Sequence, residues 1–168
     1  MNHALCGILP VVVVAALLPA CKRADLQGPP NIRLGRDECA DCGMLLSEAR
    51  CSCALLAEVE GRRTYLVFDD LGCMLDHRAE HPEFSAIGTF VHDYAAGGWV
   101  SGESARYLVA SPNALKTPMG SGMVAFASQA GAEEQRKRTG GEMVDFIGLA
   151  TIRRSGALVH DGAPGGAP

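Results

Sequence analysis

Two cysteines and a methionine in one short segment carry the clearest chemical signal in the sequence. Cys39 and Cys42 form a CxxC pair, and Met44 follows two residues after Cys42. In an extended segment Cys42 and Met44 leave the backbone on the same face, and Gly43 permits a tight turn between them. A thiolate beside a thioether is a soft ligand pair, which selects Cu(I) over hard cations and, through the methionine, over Zn(II). A structural disulfide with a core methionine fits the same local pattern, so the pattern alone leaves both open.

A second methionine stands in a turn. Met119 lies between Pro118 and Gly120, where a large apolar side chain is exposed unless something binds it. Met119 is therefore a better ligand candidate than Met123 and Met143, which lie in apolar stretches and are assigned to the core.

The remaining sulfur clusters are weaker signals. Cys51 and Cys53 alternate along a predicted strand, so both thiols should face one side, and a strained disulfide between them is not expected. They could pair with the CxxC cysteines or complete a four-cysteine zinc site, for which C-x-C spacing is a poor match. Cys73, His77 and His81 are spaced along one helix stripe, for which an exposed surface is favoured over a metal site.

Composition excludes several classes of function. The chain has 168 residues, a net charge of −4 and 5% aromatic residues. A nucleic-acid binder needs a basic face or a base-stacking platform, and neither is present. No GxSxG, HExxH or phosphate-binding glycine loop occurs, so we expect a protein that is not an enzyme.

The N-terminus indicates export. Residues 1–20 contain an apolar run that is too short to span a bilayer and typical of a signal peptide. The run ends in Leu18-Pro19-Ala20-Cys21, which resembles a bacterial lipobox with Cys21 as the lipidated residue. An ordinary signal peptide with an incidental cysteine is the alternative. Lys22 favours the outer membrane over the inner one, so we expect a lipid-anchored domain on the periplasmic face.

The mature chain is predicted to hold one compact domain. We expect a lipidated N-terminus and linker over 21–37, the domain over 38–150, and a tail over 151–168 whose end is disordered. In an oxidising compartment a free thiol must be protected, paired or bound to a metal. An odd number of cysteines remains after Cys21, so they cannot all pair within one chain.

Short strands and helices must position these sulfurs. Apolar patterning and turn residues predict two consecutive ββαβ units in an α+β fold. Strands are predicted over 51–59, 63–68, 87–94, 106–110, 123–127 and 142–149, with helices from Asp69 or Asp70 to Glu80 and over 128–138.

Five segments, in order behind the lipobox, resemble the NosL family. They are E-C-x-x-C-G-M (38–44), F-D-D-x-x-C-M (68–74), A-R-Y-L-V-x-S (105–111), T-P-M-G-x-G-x-x-A-F (117–126) and G-G-E-M-V-D-F (140–146). The resemblance implies a Cu(I)-binding lipoprotein that serves nitrous oxide reductase and its membrane maturation complex by assembling the copper–sulfur centre. Cys42 and Met44 match the family's C-x-M element and Met119 its turn methionine, with Cys39 as a further candidate ligand.

Two other classes of function compete with this one. A thiol–disulfide oxidoreductase would use Cys39 and Cys42, although such motifs usually open a helix within a βαβ context. A structural lipoprotein would use a zinc ion or a disulfide as a staple.

Overall fold

The computed structural model of the protein describes residues 26–156. Within them lie seven strands and three α-helices: β1 (Cys53–Val59), β2 (Arg62–Phe68), α1 (Leu71–Glu80), β3 (Ser85–His92), β4 (Trp99–Ser101), β5 (Arg106–Val109), β6 (Met123–Phe126), α2 (Gln129–Thr139), β7 (Glu142–Val144) and α3 (Phe146–Ser155). A short 3₁₀ turn over Ala49–Cys51 precedes β1.

The predicted pair of ββαβ units is confirmed. The first sheet has the order β2-β1-β3-β4 and the second the order β6-β5-β7, with every pairing antiparallel. In both units the first strand lies between the second and the third. This is the α+β architecture predicted from the sequence.

Local sequence explains how the first unit forms. Glu60 and Gly61 join β1 to β2 as a two-residue turn, and both have positive φ, as the hairpin's twist requires. Asp70 begins α1 as its N-cap, with its carboxylate accepting from the Gly72 N–H at 2.7 Å. Pro82 follows the helix end at Glu80 and prevents its continuation.

The two sheets meet beside Asp93. Asp93 pairs with Ala125 of β6 through a parallel bridge, and its buried carboxylate accepts from the N–H groups of Ala95, Ala96 and Ala127. Burial acts to raise the pKa of this carboxyl, but the three backbone donors outweigh it and leave the pKa below its ordinary value. A carboxylate therefore fastens one sheet to the other.

The predicted final strand is wrong beyond Val144. Instead of one strand over 142–149, β7 ends at Val144 and α3 begins at Phe146, because Asp145 caps the helix by accepting from the Gly148 N–H at 2.8 Å. The helix runs past residue 150, where we placed the end of the domain. The three-residue strand β4 was not predicted from the sequence.

Part of the predicted linker is bonded to the domain. The Tyr65 hydroxyl donates to the carbonyls of Gln27 and Gly28, and the Gly35 N–H donates to the carbonyl of Leu46. Residues 26–37 therefore follow the surface of the first unit.

Candidate metal centre

Three cysteine sulfurs lie together at one end of α1. The Sγ atoms of Cys39, Cys42 and Cys73 are all within 4.8 Å of one another. Cys39 and Cys73 are buried, whereas Cys42 is exposed. The cluster therefore has two sulfurs in the protein interior and one at the surface.

A closed loop positions the first two cysteines. Glu38 and Leu45 form an antiparallel bridge, and the Cys39 N–H donates to the Met44 carbonyl at 2.7 Å. Gly43 completes the turn with φ of 72°, a left-handed conformation that glycine adopts without a steric penalty. The Ala40 N–H donates to the carbonyl of Val67 at 2.8 Å, which fastens the loop to β2.

The first turn of α1 supplies the third cysteine. Cys73 is the third residue of the helix that Asp70 caps. The neighbouring Asp69 accepts from the Ser47 N–H at 2.7 Å and from the Ser47 hydroxyl at 2.8 Å. The residue before the helix cap is thus bonded to the segment that follows the CxxC loop.

Hydrogen bonding lowers the pKa of Cys39. The Cys73 thiol donates to Cys39, and against the opposing effect of burial the N–H groups of Cys42, Asp69 and Asp41 also donate, so the pKa of Cys39 falls to about 5. The pKa of Cys73 is raised because its proton is held by Cys39 and because it is buried beside that negative charge. The pKa values of the two buried cysteines are therefore shifted in opposite directions.

Cys42 differs from the other two cysteines. Partial burial raises its pKa, the Met44 N–H donor acts against that shift, and the Cys39 thiolate adds to it. The surface cysteine Cys42 is therefore a thiol at neutral pH, unlike the buried Cys39.

Both predicted methionines lie on segments that adjoin this cluster. Met44 belongs to the CxxC loop and has 57% of its side chain exposed. Met119 has 42% exposed, and its N–H donates to the Asp70 carboxylate at 3.1 Å, at the start of the helix that carries Cys73. The turn around Met119 is thereby held against α1.

Comparison with known proteins decides the family. The family model of NosL matches residues 33–151. The chain belongs to the NosL family. A crystal structure described as that of the copper chaperone NosL from Shewanella denitrificans has the same fold, with a TM-score of 0.57 and 20% identity, covering 71% of this chain and 96% of that chain. No curated protein matches the chain.

The fold separates Cys73 from His77 and His81, the three residues that the sequence spacing places along one helix stripe of this NosL chain. Cys73 joins the CxxC cysteines, whereas His77 and His81 do not belong to that group. His77 is buried, packs against Phe68 with ring centroids 5.4 Å apart, and has a pKa lowered mainly by burial. His81 is the C-cap of α1 and lies 3.1 Å from the Glu83 carboxylate. The sequence pattern does not place Cys73 with Cys39 and Cys42, because helical spacing relates it only to residues of its own helix.

The expectation that Cys51 and Cys53 share one strand face is wrong. Cys51 ends the 3₁₀ turn before β1, and its side chain packs in a different core cluster from that of Cys53. Burial raises the pKa of Cys51 to about 12 and that of Cys53 well above its ordinary value. Both thiols are protonated core residues outside the group formed by Cys39, Cys42 and Cys73.

The two methionines assigned to the core, Met123 and Met143, are buried to different extents. Met123 is buried in the main core cluster, and Met143 is half-buried against the second one. Neither lies in the exposed turn that distinguishes Met119.

The predicted membrane attachment falls outside the described residues. The signal peptide over 1–20, Cys21 and the end of the tail all precede or follow residues 26–156. No helix among the described residues is long and apolar enough to cross a bilayer.

Proposed function

We propose that this protein is a lipid-anchored periplasmic copper chaperone that binds Cu(I) and delivers it for assembly of the copper–sulfur centre of nitrous oxide reductase. The observation that carries the proposal is the cluster of three cysteine sulfurs within 4.8 Å of one another. Membership of the NosL family and the fold shared with a structure described as a copper chaperone support it.

The cluster suits one soft ion. Metal–thiolate bonds of about 2.3 Å place three trigonal ligands about 4 Å apart, which is compatible with the separations among Cys39, Cys42 and Cys73. Thiolates and thioethers are the ligands that select Cu(I). The nearby methionines Met44 and Met119 offer additional neutral sulfur donors, which favours Cu(I) over Zn(II).

The division between buried and exposed sulfurs suits transfer. Cys39 and Cys73 are buried and would retain the ion, while Cys42, Met44 and Met119 are exposed to an approaching partner. Neutral thioethers bind Cu(I) weakly, so a ligand of the acceptor protein can replace them first and Cys42 next. The ion then passes by ligand exchange without being released into solution.

The exposure and the pKa values of the two CxxC cysteines argue against the oxidoreductase alternative. Thiol–disulfide exchange requires an accessible thiolate that attacks the partner. Here Cys39 has only 2% of its surface exposed, and the pKa of the accessible Cys42 is raised, chiefly by burial. Turnover in an insulin-reduction assay that requires both cysteines would favour the redox alternative.

Anaerobic titration with Cu(I) against a chromophoric Cu(I) chelator tests the site. We expect one tightly bound ion per chain, and an affinity lowered at least a hundredfold in each of Cys39→Ser, Cys42→Ser and Cys73→Ser. Cys51→Ala is the matched control and should bind as the wild type does. Wild-type affinity in the three cysteine variants would contradict the proposal.

The methionines are tested in the same assay. Met44→Leu and Met119→Leu should each lower the Cu(I) affinity about tenfold, since each removes one weak thioether ligand. Met123→Leu is the matched control because that side chain is buried in the core. Equal Cu(I) affinities in all three variants would show that neither Met44 nor Met119 binds the ion.

Two further measurements test the metal and the client. Protein expressed in the periplasm should contain copper, and one equivalent of zinc would instead support the structural-staple alternative. Loaded protein mixed with copper-free nitrous oxide reductase should lose its copper and generate the absorption of the copper–sulfur centre. Retention of copper in that mixture would point to a different client.

A further inference from the structure

Two adjacent buried carboxylates, Asp69 and Asp70, stand at the start of α1. We infer that Asp70 is a positioning residue that holds Met119 beside the cysteine cluster. The inference rests on the proposed function, because it assigns a role within the same copper site.

The carboxylate of Asp70 bonds to two different segments. It is fully buried, and its Oδ1 atom accepts from the Gly72 N–H at 2.7 Å while its Oδ2 atom accepts from the Met119 N–H at 3.1 Å. Gly72 immediately precedes Cys73. One carboxylate therefore sets the distance between the backbone at Cys73 and the backbone at Met119.

The turn that carries Met119 is an internally bonded unit. The Gly120 N–H donates to the Thr117 carbonyl at 3.0 Å, and the Gly122 N–H donates to the Thr117 hydroxyl at 3.3 Å. A bond to the middle of such a unit determines where the whole turn lies. Asp70 makes that bond at Met119 itself.

The turn also packs directly on the helix. A Cβ atom on Gly72 would lie 2.8 Å from the Cβ of Ser121, so this approach is possible only because residue 72 is a glycine. The Met119 side chain, in contrast, is 42% exposed, and packing alone does not hold it. The backbone bond to Asp70 is thus the contact that prepares the thioether for a ligand position.

Asp69 serves the opposite side of the site. Its carboxylate bonds to Ser47, on the segment that follows the CxxC loop. The two carboxylates therefore have separable roles, and substitution of Asp70 alone should affect the Met119 side.

The test is a double-mutant cycle between Asp70→Asn and Met119→Leu. Asparagine caps helices as well as aspartate does, so it retains the bond to Gly72 but presents an amide donor where Met119 needs an acceptor. Asp145→Asn is the matched control, because Asp145 caps α3 in the same way without touching the turn. Cu(I) affinity and the number of bound sulfurs from copper-edge absorption are measured for each variant.

We expect Asp70→Asn to lower the Cu(I) affinity about tenfold and to reduce the sulfur count by one, with Asp145→Asn unchanged. In the Met119→Leu background the same substitution should change the affinity less than about twofold, because the residue it positions is already gone. Asp70→Ser, which keeps a capping hydroxyl and lacks the second acceptor, provides the test if Asp70→Asn does not fold.

Several outcomes overturn the inference. Equal losses in both backgrounds would mean that Asp70 supports the helix in general, and an unchanged sulfur count would mean that Met119 stays bound without it. Wild-type Cu(I) affinity in Met119→Leu would show that Met119 is not a ligand and that Asp70 does not position one. The proposed binding of Cu(I) by the three cysteines would still stand. Failure of the wild-type protein to bind Cu(I) would instead overturn the proposed function.

Discussion

Cys39 is the one cysteine of the candidate site whose pKa is lowered, to about 5. The causes are hydrogen bonding from the Cys73 thiol and from backbone N–H groups of its own loop and of Asp69, which outweigh the effect of burial. Charge-assisted bonds of this kind favour the thiolate even in a buried position. The cluster therefore contains a sulfur whose pKa lies below neutrality.

The first prediction at the residue scale concerns this thiolate. The reduced, metal-free protein should show the ultraviolet absorbance of one thiolate at neutral pH, and should lose it as the pH falls through about 5, the pKa of Cys39. Cys39→Ser should abolish the absorbance. Cys51→Ala should leave it unchanged, because the pKa of Cys51 is raised to about 12. Absorbance that develops only in the ordinary alkaline range of thiols would contradict this assignment.

Two elements of the fold converge on the site, and their predictability differs. The CxxC loop is a local structure whose closure depends on Gly43 and on neighbours within a few residues. The start of α1 was also predictable, because Asp70 is a strong N-cap residue. That these two elements meet depends on the pairing of β1 with β2 and on the docking of the loop on β2, which no local pattern specifies.

The third helix was mistaken for a strand for an identifiable reason. The segment after Glu142 is short and mostly apolar, with two β-branched residues, Val144 and Ile147, and such segments do not distinguish a strand from a buried helix. The capping pattern of Asp145 and Gly148 was the signal that could have found the helix. The helix matters to the site because Arg153 forms an ion pair with Asp76 of α1.

The prediction at the element scale separates helix from strand directly. In a strand residues 147 and 149 would share one face, but here Ile147 is 74% exposed and Leu149 is fully buried. Leu149→Ala should lower the free energy of unfolding by about 2–5 kcal/mol, and Ile147→Ala by less than about 0.5 kcal/mol. Denaturant unfolding measures both. Equal effects of the two substitutions would contradict the helix.

The whole molecule is a pair of related units that share a core. The main core cluster includes Phe68 and Met74 from the first unit and Tyr107 and Leu149 from the second. Cys39 and Cys73 are buried in the same cluster, so the sulfur site lies at the edge of the core that joins the two units. Stability and ligand geometry are thus linked through common packing.

The prediction at this scale concerns attachment. If Cys21 carries the lipid, Cys21→Ser should move the protein from the membrane fraction to the soluble periplasmic fraction while the Cu(I) affinity of the purified domain stays unchanged. Cell fractionation followed by immunoblotting measures the distribution, and Cys51→Ala is the control. A membrane-bound Cys21→Ser protein would show that another part of the chain holds it there.

The sequence by itself predicted the two ββαβ units and the candidate ligand segments, but neither β4 nor α3. Alternating apolar residues, turn residues and capping residues act over a few positions, so the two ββαβ units and the candidate segments at Cys39, Cys42, Met44 and Met119 could be found without a structure. The tertiary structure alone decided that Cys73 lies beside Cys39 and Cys42, that the pKa of Cys39 is lowered, and that Asp70 bonds to Met119. These features depend on contacts between residues far apart in the chain, which arise only when the loop docks on β2 and the turn bonds to the start of α1.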